Sequence, residues 1–380
     1  MAKILILGGG FAGLVTAEKL SAAIDLAQHE ITLISPSKDF TFYPALVRLA
    51  FGECETDDMR FDLRARLSGL GVRFVQGEVL DIDPQQKEVS ISGPDISGKV
   101  DYDIVVLAMG RRLATETVPG FFEYAHHLLG VKAAREFGSA VSRFTSGSIV
   151  IGLCPGASLP VPVCETAFAV ANRFSTAIDD GRVTVKVIFP GSLADAFGGA
   201  EIHKELETAF ARHHINVLYD VPIKEVTADE VLSSNKHHIK YDLLMLLPPF
   251  KGQSMLNKLG ITDDADFINV DGSLRIHGLA KAYAAGDIVA FSGPKLAHMA
   301  VRQGEAVAAN IARELTGSKP DENYYHEIAS VIDTGGRDSI YLHYGIWDDE
   351  LFSVRKGMTW SWLKGAHDAA WRYKHSKGAV

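Results

Sequence analysis

The segment Gly8-Gly9-Gly10-Phe11-Ala12-Gly13 constrains this chain more than any other stretch. It follows the apolar run Lys3 to Leu7 and precedes an Ala-rich stretch reaching about Ala23. Gly8, Gly10 and Gly13 fit G-x-G-x-x-G between a buried strand and a helix, the context that gives the pattern meaning. Gly8 permits a tight turn, Gly10 lets the backbone approach a pyrophosphate, and Gly13 lets helix and strand pack closely. Phe11 and Ala12 open the helix, whose first N–H groups and dipole favour phosphate. The run Ile31 to Ile34 completes a β–α–β unit and implies a parallel sheet with crossover helices. No carboxylate for a ribose ends that second strand; Ser35 and Pro36 stand there. Ser35 either hydrogen-bonds a ribose hydroxyl or starts the turn before Pro36.

The theme occurs twice. Ile149 to Ile151 reads as a strand, Cys154 to Pro162 as a Gly/Pro-rich loop, and Glu165 to Phe174 as a helix. Strands follow at Val183 to Phe189, Asn216 to Tyr219 and Leu243 to Leu247. Between the two units, strands are predicted at Val72 to Val79, Glu88 to Ser92 and Asp103 to Ala108. The predicted class is α/β: two Rossmann-like dinucleotide-binding domains with a C-terminal extension. Residues 1–112 with 270–315 form the first domain, 113–269 the second, and 316–380 the extension. A chain of 380 residues suits two or three domains at roughly 150 residues each. The formal charge of −9 argues against nucleic acid as a partner. Three cysteines are too few for a disulfide scaffold. Neither a signal peptide nor a spanning apolar stretch is read, so the expected location is cytoplasmic.

Tyr283-Ala284-Ala285-Gly286-Asp287 resembles the second FAD motif of flavoproteins with two dinucleotide domains, in which the Asp meets the ribityl chain. Ala108-Met109-Gly110 resembles the short strand-end motif that passes beneath the FAD. With Phe42-Tyr43-Pro44-Ala45-Leu46, Gln76-Gly77-Glu78-Val79, Leu247-Pro248-Pro249-Phe250 and Gly293-Pro294-Lys295-Leu296, the chain resembles the sulfide:quinone oxidoreductase family. Type II NADH dehydrogenases are more distant relatives in this resemblance. It implies non-covalent FAD, held at Gly8, Gly10, Gly13, Ala108, Gly110, Gly286 and Asp287. Pro44 is implied near the isoalloxazine, Val79 at the adenine, and Pro294, Lys295 and Leu296 beside the flavin. Reduced flavin carries negative charge near N1, so Lys295 and a helix start there would stabilise it. A solvated surface lysine is the alternative reading of Lys295.

The chain departs from that family where sulfur is handled. The family uses two cysteines flanking the flavin. Leu129 and Leu159 stand at the matching positions, and Ser330 at a third. Leucine cannot carry a persulfide, which counts against sulfide as donor. Cys154 and Cys164 remain as redox candidates, or as small buried hydrophobes. Glu165 is either a proton shuttle or a first-turn acid on the helix dipole. The second loop, Gly152-Leu153-Cys154-Pro155-Gly156-Ala157, is not G-x-G-x-x-G, and Pro155 removes an N–H. The adjacent pairs His213-His214 and His237-His238 do not face one way, so no metal site is expected.

The working function is therefore an FAD-dependent oxidoreductase passing electrons from a small reductant to a quinone. The alternatives are an NAD(P)H:acceptor reductase and a non-catalytic flavin-binding sensor or assembly subunit. The tail from Lys356 to Lys377 mixes Trp360, Trp362, Trp371 and Tyr373 with basic residues. That mixture suits peripheral docking on the inner face of the cell membrane. Packing over the catalytic domain and a homo-oligomer contact are the other uses open to it. Gly357 and Gly365 weaken a helix there.

Overall fold

Short runs of Ile, Leu and Val are buried on both sides only when helices cover both faces of a parallel sheet. Two such sheets organise the chain in the computed structural model, which describes residues 1–317, 322–335, 338–348 and 350–376. The first elements are β1 (Ala2–Leu7), α1 (Phe11–Ala23), β2 (His29–Ser35), β3 (Arg73–Gln76) and β4 (Ile104–Leu107). Then come α2 (Val131–Arg143), β5 (Gly147–Leu153), α3 (Pro160–Arg173), β6 (Val183–Ile188), β7 (Ile215–Leu218) and β8 (Leu243–Leu247). The chain ends through β9 (Ala282–Ala284), α4 (Ala297–Thr316), β10 (Glu327–Asp333), β11 (Ser339–Gly345), β12 (Phe352–Gly357) and α5 (Met358–Ser376).

The first sheet runs β9-β4-β1-β2-β3, with every neighbouring pair parallel. The second runs β7-β6-β5-β8, also parallel throughout. The late strand β9 thus completes the sheet that β1 began. Helix α4 then returns against α1, and small residues set how close the two lie. A side chain at Gly304 would meet the Ala12 carbonyl oxygen at 2.6 Å. Thr16 Oγ1 donates to that same oxygen at 2.8 Å.

Two expectations change. The predicted strand Val72 to Val79 breaks at Gly77, whose N–H donates to the Ser35 carbonyl at 3.0 Å. Glu78–Asp83 instead opens an antiparallel meander with Glu88–Ser92 and Ser97–Asp101. The tail is also more ordered than its glycines imply. Strands β10, β11 and β12 form an antiparallel sheet, and α5 runs straight through Gly365.

Tertiary anchors override that poor propensity. The Trp371 ring lies 5.0 Å from Phe11, 5.2 Å from Phe40 and 5.2 Å from Phe42. Trp360 stacks on Tyr341 at 4.3 Å. The buried Glu18 carboxylate meets Arg66 Nε at 2.7 Å and His375 Nδ1 at 2.6 Å. Lys364 pairs with Glu165 on α3. Lys377 lies outside the described residues.

Candidate active site

The carboxyl ends of β1, β4 and β9 are level, since Leu7 pairs with Leu107 and Leu107 with Ala284. Open parallel sheets bind ligands outside that edge. Gly8 turns there with φ at +114°, and any side chain on it would strike the Ala108 carbonyl. A side chain at Gly13 would strike the Gly8 carbonyl. Beside Gly10 there is open space, and Gly10 is exposed. The loop is therefore closed on the sheet side and open on the other. Phe11 and Ala12 begin α1 immediately behind it, where N–H groups lack helical partners. Ser35 is buried, and its hydroxyl would lie 2.9 Å from a side chain at Gly9, so it faces the loop.

Gly286 has φ at +84° and packs against Ala12, while its N–H donates to buried Gln303 Oε1 at 2.6 Å. Asp287 follows and pairs with Arg111 Nη1 at 2.6 Å. The guanidinium carbon lies 4.0 Å from the Phe250 ring centre. Arg111 Nε is buried without a hydrogen-bond partner. Gly110 turns with φ at +67°, and Gln253 Nε2 donates to its carbonyl at 3.3 Å. The sequence reading missed Arg111 because its signal is only one more cation after Gly110.

A small cavity beside Gly286 and Asp287 is lined by Pro294, Lys295, Leu296, Gln303 and His326. Lys295 Nζ donates to the Val289 carbonyl and faces the Phe267 ring at 4.6 Å. Burial lowers its pKa to about 8, although Asp287 and Asp263 favour its charge. Lys295 is thus no freely solvated lysine. Buried Leu296 caps α4 directly after it. Tyr324 donates to His326 Nδ1 at 3.0 Å, leaving His326 Nε2–H to donate to the Ser292 carbonyl at 2.8 Å. Burial lowers the His326 pKa, consistent with the neutral ring. Pro44 lies half-buried in the turn Tyr43–Ala45. Val79 sits half-buried in the meander, paired with Ile91.

The second loop is spent on the protein itself. Cys154 N–H donates to Leu247 O at 3.0 Å and Ala157 N–H to Cys154 O at 3.0 Å. Pro155, Pro160 and Pro162 have no N–H to offer. Lys295 N–H donates to Ser158 O at 2.7 Å, tying this loop to the cavity edge. Leu129 and Leu159 both pack against the main apolar cluster. Cys154 and Cys164 are buried in separate apolar clusters and form no disulfide. Burial pushes both thiols well above their ordinary pKa. Glu165 is buried, and burial raises its pKa. It accepts from Asp333 N–H at 2.9 Å and pairs with Lys364, so it joins α3 to the extension. Among the described residues, no cluster of potential metal ligands occurs.

The site fits FAD on two counts: a loop closed on the sheet side at Gly8 and Gly13 and open at Gly10, and a carboxylate, Asp287, just beyond a neighbouring strand end. The profile of the pyridine nucleotide-disulphide oxidoreductase family matches residues 2–304. A type II NADH:quinone oxidoreductase of Staphylococcus aureus is 24% identical over 375 residues, covering 90% of each chain. The sulfide:quinone oxidoreductase of Aquifex aeolicus superposes with a TM-score of 0.92 at 23% identity, over 100% of this chain and 92% of that one. The NDH2 of Plasmodium falciparum in complex with NADH gives 0.74 at 17% identity, over 98% and 96%.

Proposed function

The chain belongs to the pyridine nucleotide-disulphide oxidoreductase family, and from that premise we propose that it passes electrons from a small, non-nucleotide reductant through FAD to a quinone. That it is a flavin-dependent oxidoreductase follows from the family and the fold. The donor and the acceptor are the proposal. The observation that carries it is the contrast between the two Gly-rich loops. The first keeps an open loop at Gly10, whereas in the second the Cys154 and Ala157 N–H groups bond within the protein and Pro155, Pro160 and Pro162 have none.

FAD, when bound, supplies the two-electron chemistry. The residues of this chain bind and tune it. Gly8, Gly10, Gly13, Phe11 and Ala12 receive the pyrophosphate, with Ser35 at the ribose. Ala108 and Gly110 would bring the backbone past the cofactor, and Asp287 would accept from its ribityl chain. Val79 would stand at the adenine and Pro44 at the ring system. Lys295, with Leu296 at the start of α4, holds positive charge where the reduced ring becomes negative. Glu165, Cys154 and Cys164 take no part in the transfer, because each is committed to packing.

Anaerobic bleaching of the bound flavin tests this, with sulfide, a low-molecular-weight thiol and NADH side by side, followed by reoxidation with a soluble quinone. Bleaching by the thiol but not by NADH is expected, and sulfide should be a poor donor because Leu129 and Leu159 replace the cysteines. Bleaching by NADH alone would overturn the donor assignment in favour of NADH:quinone chemistry, a reading that the Staphylococcus aureus relative favours. A quinone is membrane-borne, so we also place the protein peripherally on a membrane. Among the described residues no helix is long and apolar enough to cross one. The outer side of α5 exposes Met358, Trp362, Leu363 and Tyr373, the residue types of an interface. Trp362→Glu should abolish flotation with anionic liposomes; undiminished flotation would remove α5 from that role.

A further inference from the structure

The short loop that carries Lys295 is held from three sides. Lys295 N–H donates to Ser158 O of the second loop at 2.7 Å. Gly293 turns with φ at +83°, and a side chain there would lie 2.8 Å from Ile346 Cδ1 of the extension. The third hold is polar. His326, directly before β10, donates from Nε2–H to the Ser292 carbonyl at 2.8 Å. Its Nδ1 accepts from the Tyr324 hydroxyl at 3.0 Å. The Gln303 side chain on α4 hydrogen-bonds that hydroxyl in turn, and its Oε1 accepts from Gly286 N–H at 2.6 Å. Tyr324, His326 and Gln303 are 5%, 2% and 4% exposed, so solvent has little access to the chain they form. That chain runs from Gly286, beside Asp287, to Ser292, three residues before Lys295.

A carbonyl only accepts, so Nε2 carries the hydrogen, and the neutral ring presents Nδ1 to the hydroxyl. An apolar side chain of the same size would leave the buried Ser292 carbonyl and Tyr324 hydroxyl without these partners. The backbone on either side is fixed as well: Tyr324 N–H donates to Gly272 O at 2.8 Å, and Ile346 N–H to His326 O at 2.9 Å. We propose that His326 is a positioning residue for the reaction: through the Ser292 carbonyl it sets the Lys295 loop at the flavin site, so that the C-terminal extension governs the potential of a cofactor held elsewhere in the chain. This rests on the reading of Lys295 as the charge beside the flavin and adds what holds it there.

Two readouts on purified holoprotein test it: the rate at which acetic anhydride acylates Lys295, followed peptide by peptide, and the flavin midpoint potential at pH 7. His326→Phe should raise the acylation rate about 5-fold, the worth of one lost hydrogen bond. It should also lower the potential, as Lys295→Met does. His326→Gln returns a neighbouring donor and acceptor and should stay near the wild type in both. Melting temperature and far-UV circular dichroism show which variants fold. If His326→Phe does not, Tyr324→Phe removes only the hydroxyl and should move both readouts the same way, by less. The double variant of Lys295→Met and His326→Phe should have the potential of Lys295→Met alone. Additive lowering in the double variant would overturn the proposal. So would unchanged acylation and potential in His326→Phe, or equal changes in His326→Gln, since packing alone would then explain the residue. An unchanged potential in Lys295→Met itself would instead count against the reading of Lys295, and the acylation rates would still decide whether His326 holds the loop.

Discussion

The two Gly-rich loops begin alike and end differently. Each leaves the carboxyl end of a central parallel strand, β1 or β5, and enters a helix. In the first, glycines stand where side chains would strike the Ala108 and Gly8 carbonyls, and the outer side is open at Gly10. In the second, the N–H groups of Cys154 and Ala157 bond within the protein, and prolines occupy positions 155, 160 and 162. A shared topology thus supports one open loop and one corner bonded within the protein. The fold alone does not make a nucleotide site; free N–H groups at the helix start do.

The sharpest way to break this comparison is to place a methyl group in each loop. Gly13→Ala drives a side chain into the Gly8 carbonyl, and neither backbone can yield without moving β1 from α1. Colourless protein is expected, with FAD affinity lower by at least about 100-fold and stability lower by about 3 kcal/mol. Gly156→Ala finds its nearest neighbour, Pro249 Cβ, at 3.6 Å, so its cost is mainly that of φ at +81°. A loss of about 1 kcal/mol in melting experiments, with FAD retained, is expected. Equal loss of flavin in both variants would erase the distinction between the loops.

Helix α5 touches both regions and separates them at the next scale. Trp371 rests on Phe11 of the first loop, and Lys364 pairs with Glu165 on the helix behind the second. Trp371→Ala should cost about 3 kcal/mol of stability and also speed flavin loss on dilution. Lys364→Met leaves a buried carboxylate without its cation and should cost about 3–5 kcal/mol. Its flavin should nevertheless stay bound. Flavin release from Lys364→Met at temperatures well below its melting point would tie the second corner to the cofactor after all.

Much of this contrast was legible in the sequence, because it depends on local rules. Glycine spacing between strand and helix gave the first cradle, and Pro155 already counted against the second. The Gly286-Asp287 strand end likewise carries its own turn chemistry. What was not legible depends on distant partners. Glu165 read equally well as a proton shuttle or a helix acid; its bond to Lys364 on α5 decides its packing. Arg111 gains meaning only from Asp287 and Phe250, which the chain brings back from far along its length. The packing of α5 was hidden because aromatics stand on both its faces: Trp360 and Trp371 turn inward onto Tyr341 and Phe11, while Trp362 and Tyr373 are exposed.

A smaller effect is expected at Lys295. Below about pH 8 it carries its proton, since burial lowers its pKa only to about 8. Its charge then favours the reduced, negative flavin, so Lys295→Met should lower the midpoint potential by about 30–60 mV at pH 7. As pH rises through 8 the wild-type lysine loses its proton and the two proteins should converge. Spectroelectrochemical titrations at pH 7 and pH 9 read this directly. A difference that persists undiminished at pH 9 would mean that Lys295 acts by packing and not by charge.

The smallest expected effect lies at the second corner's own cysteines. Cys154 and Cys164 sit in different apolar clusters, and burial raises both thiols far above neutrality. A thiolate is the reactive form, so neither can attack a donor or a flavin from these positions. Cys54 is half-buried, and burial raises its thiol as well, but it retains access to solvent. A disulfide reagent should therefore titrate only Cys54 in the native protein, slowly, and all three thiols once it is unfolded. Cys154→Ala and Cys164→Ala should each leave the rate of flavin bleaching unchanged while lowering stability by about 1 kcal/mol. Loss of bleaching in either variant, with its flavin still bound, would show that the second loop opens during turnover. The corner would then be a donor site in its own right, and the contrast between the loops would be one of conformation and not of chemistry.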